Sequence, residues 1–63
     1  MTNAQVNASR FVAVRNPDCN FAVGDGQITV SHGLNSEVVE FTTETPAETL
    51  KADLMAAATA VCS

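Results

Sequence analysis

Asp25-Gly26 lies between two short apolar segments, and this dipeptide constrains the chain more than any other feature. Asp-Gly flanked by strand-forming residues is among the strongest hairpin signals, because a two-residue reversal needs a residue that tolerates positive φ. Residues 27–32 alternate apolar and polar, as a half-buried strand does. With Asp25 and Gly26 as the loop, Val23 opposes Ile28 and Phe21 opposes Val30. Directly opposed residues share a face, so these four point to one side.

The same reasoning extends outward. Asn16-Pro17-Asp18 reads as a turn, with Pro presetting φ. The run 10–15, bounded by Arg10 and Arg15, reads as a strand whose Val14 and Val12 lie beside Phe21 and Val23. A four-residue loop at 33–36 would set Val39 beside Val30 and Phe41 beside Ile28, in a strand over 37–43. Residues 1–9 are polar, uncharged and without period, and read as a flexible arm.

The last segment is helical by three signals. Thr45 stands as an N-cap, Pro46 at the first helical position and Glu48 three residues after the cap. Leu50, Leu54, Ala57 and Val61 then recur at four, three and four, one apolar stripe on a helix over 46–61. The expected fold class is therefore α+β: a four-stranded antiparallel β-meander (10–15, 20–24, 27–32, 37–43) with one C-terminal α-helix packed on one face. Residues 10–63 would form a single small domain behind the arm.

Composition enters where burial is counted. Ala and Val supply 18 of the 29 hydrophobic residues in 63, and Trp and Tyr are absent. A chain of about 60 residues buries only about 60% of its unfolded surface, and small side chains make its core thin. Staples or association are the usual remedies. With Val12, Val14, Phe21, Val23, Ile28, Val30, Val39 and Phe41 under the helix, the opposite face is left uncovered. On it the expected partner interface is Phe11, Ala13, Arg15, Ala22, Thr29, Val38 and Glu40, with Arg15 and Glu40 on the same face.

Several function classes are disfavoured. Three Lys and Arg stand against seven Asp and Glu, a net charge of −4, which argues against direct nucleic-acid binding. No apolar run approaches the roughly 18 residues of a membrane helix. The first residues have neither the basic start nor the apolar stretch of a secretory signal, so free thiols in a cytoplasmic or virion setting are the default. A single Cys19–Cys62 bridge, tying the helix end to the sheet, is the alternative. Asn7-Ala8-Ser9 is a chance-level sequon in that context.

In this register Cys19 and His32 end neighbouring strands and Glu37 lies across from His32, the layout of a nucleophilic cysteine site, but such a site also needs a cleft. Cys19, His32, Cys62 and Asp18 lack the close ligand pairs of zinc sites. Gly24-Asp25-Gly26 joins strands rather than preceding a helix, so it is no phosphate loop. No catalytic, cofactor-binding or metal-ligating residue is assigned. Glu37, Glu40, Glu44 and Glu48 cross from strand to helix and share no single period.

These features describe a non-enzymatic protein acting by contact, a homo-oligomer or a module on a larger protein. The Ala/Val/Thr/Asn-rich, lysine-poor make-up suits a capsid decoration component. The alternative is a small acidic inhibitor on the basic surface of a nucleic-acid-handling protein.

Overall fold

The computed structural model describes residues 1–62. It is α+β, with the order α1 (Asn3–Arg15), β1 (Asn20–Gly24), β2 (Gln27–His32), β3 (Asn35–Glu40) and α2 (Ala47–Cys62). The three strands form one antiparallel sheet in the order β1-β2-β3. The expected four strands and one helix become three strands and two helices, because residues 3–15 form α1 in place of the arm and first strand.

The start of α1 explains the difference. The Thr2 hydroxyl accepts from the Gln5 N–H at 3.1 Å, and the Thr2 N–H donates to Gln5 Oε1 at 3.1 Å, a reciprocal capping box. Gln5, Ala8 and Val12 then recur at three and four and are all buried. The stripe opens on a glutamine, so a search for apolar periodicity passes over it. Gln5 is 1% exposed, and its Nε2 donates to the carbonyls of Thr42 (2.8 Å) and Thr45 (2.9 Å), so its burial leaves no polar atom unpaired. At the other end Asn16 closes the helix, its N–H on Ala13 O and its Nδ2 on Val12 O.

The first hairpin has the expected register. Phe21 pairs with Val30, Val23 with Ile28 and Gly24 with Gln27, and Gly26 takes φ 76° at the reversal. The second is tighter than expected. His32 pairs with Asn35 across Gly33-Leu34, with Gly33 at φ 61° in the first central position, as a type II′ turn requires. Val39 therefore lies beside Ile28, and Glu37 beside Val30 rather than across from His32. The shift is two residues, so each side chain keeps its face. Strand β3 ends at Glu40, although the Phe41 N–H still donates to Gly26 O at 3.0 Å.

Ile28, Val30 and Val39 meet the predicted stripe of α2, with Ala58 joining Leu50, Leu54, Ala57 and Val61. Helix α2 packs on β2 and β3, and α1 packs alongside α2, contributing Val12 to the same core. Two residues expected inside are outside. Val14 lies two positions from Val12, about 200° around α1, and is 75% exposed. Val23 sits at the hairpin end of β1, away from the strands that α2 covers, and is 59% exposed.

Helix α2 begins one residue later than expected and differs at its cap. Thr45 Oγ1 accepts from the Thr42 N–H at 2.9 Å, and the Pro46 carbonyl accepts the first helical bond, from Leu50 N–H. Glu48 pairs with Lys51 at 3.4 Å. The cysteines are not free thiols: Cys19 and Cys62 form a disulfide with Cα atoms 6.7 Å apart, joining the start of the sheet to the end of α2.

Candidate interaction surface

The side of the sheet away from the helices is built by register alone. Residues opposed across both ladders form three rows: Asn20–Ser31–Ser36, Ala22–Thr29–Val38 and Gly24–Gln27–Glu40. The middle row is small and largely apolar, with Val38 53% exposed, and Glu40 lies two residues beyond Val38 on β3, in the next row of the same face. Both helices belong to the other layer, so no described element of the chain covers these rows. Four of the seven expected interface residues, Ala22, Thr29, Val38 and Glu40, thus share one open face.

The other three do not join them. Phe11, Ala13 and Arg15 are on α1, because residues 10–15 are helical and not a strand. Ala13 is half-buried and apart from the exposed pair. Phe11 and Arg15 form a separate group: the Arg15 guanidinium lies 3.5 Å from the Phe11 ring centroid and its Nη1 donates to Phe11 O at 3.3 Å. Lys51 Nζ of α2 lies 4.7 Å from the same centroid. Cations over an aromatic face are drawn by the ring quadrupole, an attraction of about 0.5–1 kcal/mol at exposed sites. Phe11 is 38% exposed and, with Ala4, Ala8, Ala47 and the paired Glu48 and Lys51, lines a cleft of about 340 Å³ between the helices.

Charge divides between the layers. Arg10, Arg15 and Lys51, every Lys and Arg of the chain, are on the helices. Asp18, Asp25, Glu37, Glu40 and Glu44, five of the seven acids, are on strands or loops. Arg15 and Glu40, expected on one face, therefore lie in opposite layers. The sequence reading missed Lys51 as part of this group. Its signal would have been the i, i+4 pair Phe11–Arg15, visible only once 10–15 is read as helix.

The thiol group is not assembled. Cys19 is bonded to Cys62, and Glu37 faces Val30. Among the described residues no three His, Cys, Asp or Glu are placed to hold a metal ion, and no helix is long and apolar enough to cross a membrane. No family model matches the chain, and searches of curated proteins and of solved structures return no match.

Proposed function

We propose that this is a small non-enzymatic protein that works by contact, self-associating through its exposed faces or docking on a larger protein. The observation that carries the reading is the open row Ala22–Thr29–Val38 with Glu40 beside it. A contiguous surface of small, uncharged side chains can be desolvated cheaply, and extra burial suits a chain whose own core is thin. A virion assembly component, of the kind that decorates a capsid, fits the lysine-poor composition. The test is mass in solution across concentration, with and without reductant. Mass should rise with concentration and fall to the monomer with Phe11→Asp or Ala22→Arg. A 6.6 kDa monomer at every concentration overturns self-association.

The gathering of acids on strands and loops favours one second reading, an acidic inhibitor of a basic protein surface acting through Glu37, Glu40 and Glu44. Such binding should weaken steeply with salt, whereas contact through the small-residue row should not.

A further inference from the structure

We propose that the Cys19–Cys62 bond is a redox switch for the fold, opened by a dithiol reductant that attacks at Cys62. This goes beyond the contact reading and does not depend on it. The two sulfurs are placed unequally. Cys62 is the last residue of α2 and is half-buried at the margin of the core, whereas Cys19 is 8% exposed and belongs to the core itself. An incoming thiolate needs access to the sulfur it attacks, and access here is at Cys62. Cys19 is the sulfur that leaves.

The exchange takes two steps. A thiolate of the reductant bonds to Cys62 Sγ as the Cys19–Cys62 bond breaks, and Cys19 departs with the electron pair and takes a proton from solvent. The reductant's second thiolate then displaces Cys62 and closes the reductant's own disulfide, so two electrons and two protons pass to the protein. The released Cys19 thiol keeps a place in the fold. Its Sγ is 4.0 Å from Ala58 O, within reach of a thiol's weak donor, in the cluster that holds Val12, Ala58 and Val61. From there it can re-form the bond under oxidising conditions.

The shortness of the chain carries this exchange from one bond to the whole fold. The bonded cysteines are 43 residues apart, and on the chain-entropy account closing such a loop shifts the unfolding equilibrium about a thousandfold. A 63-residue domain typically prefers its folded state by about ten-thousandfold, so most of that preference goes with the bond. Other ties at this end are few. Helix α2 packs on β2, β3 and α1, and little on β1, the strand that Cys19 leads.

The test treats the full oxidised chain with glutathione and caps free thiols with N-ethylmaleimide. Trypsin cuts after Arg15 and Lys51, which puts Cys19 in fragment 16–51 and Cys62 in 52–63. Glutathione should be on 52–63 at least about tenfold more often than on 16–51, because attack follows access. An equal or reversed ratio overturns attack at Cys62. Dithiothreitol should lower the urea midpoint by more than half, read by far-UV circular dichroism, and reoxidation should restore it. The Cys19→Ala/Cys62→Ala variant should not respond to dithiothreitol. A native bond that dithiothreitol does not open, a midpoint that falls by less than half once both thiols are free, a fold that reoxidation does not restore, or a response in the alanine variant overturns the switch.

Discussion

The side-chain amide of Gln5 donates to the main-chain carbonyl of Thr42 at 2.8 Å, closing a separation of 37 residues. With the second bond to Thr45 O, it fixes the start of α1 to the connection between β3 and α2. The residue looks in sequence like part of a polar tail and behaves in the fold as a core residue.

Gln5→Leu should therefore destabilise the protein by about 2–3 kcal/mol, because it strips partners from the Thr42 and Thr45 carbonyls and breaks the capping box. Gln5→Glu should be no better, since a carboxylate oxygen would then face the two carbonyls. Urea unfolding followed by circular dichroism measures both. An unchanged midpoint for Gln5→Leu would show that the bonds add nothing net.

The disulfide closes a long loop, with 43 residues of separation between its ends. In the chain-entropy account, removing it as Cys19→Ala with Cys62→Ala costs about 4 kcal/mol. Cys19 is buried against α2, its Sγ 4.0 Å from Ala58 O, so part of any loss is packing. Comparing the double variant with the reduced wild-type chain separates the two contributions.

Two leucines make opposite predictions. Leu54 is fully buried at the centre of the α2 stripe, and Leu54→Ala should cost about 2–5 kcal/mol by transfer and cavity terms. Leu34, at the tip of the second hairpin, is 105% exposed, and Leu34→Ser should change stability by less than about 0.5 kcal/mol. Thermal melts of the two variants test the contrast. A large loss from Leu34→Ser would show that the tip is buried in an assembly.

Gly33 isolates a backbone effect. A Cβ there meets nothing within 4 Å, so space does not oppose substitution, but φ is 61°. Gly33→Ala should cost about 1–2 kcal/mol for holding the left-handed conformation, and Gly33→Asn less. Equal stability for Ala and Gly would mean that the turn had changed type.

The legible parts of this fold were those that local chemistry specifies. Asp25-Gly26 fixed the first hairpin residue by residue, and the Leu50–Leu54–Ala57–Val61 spacing fixed the buried side of α2. The second hairpin was misread by two residues because Leu34 does not resemble a turn residue, yet the faces survived, since parity is indifferent to an even shift. That is why Ala22, Thr29, Val38 and Glu40 still lie on one side of the sheet. Helix α1 was hidden for a different reason. Its Phe-Val-Ala-Val stretch is β-forming in isolation, and tertiary burial of Ala8 and Val12 against α2 outweighs that weak preference. Phe11 and Arg15 are exposed, but on α1 in the helix layer and not on the sheet.

The bond between Cys19 and Cys62 divides the chain mechanically. The sheet and α2 lie inside a covalent loop, and α1 lies outside it. A force applied between Met1 and Cys62 would pass through the disulfide, leaving the enclosed segments unloaded. Residues 1–18 alone could lengthen, to roughly 60 Å of extended chain. Under tension the first helix would detach and the rest would keep its length.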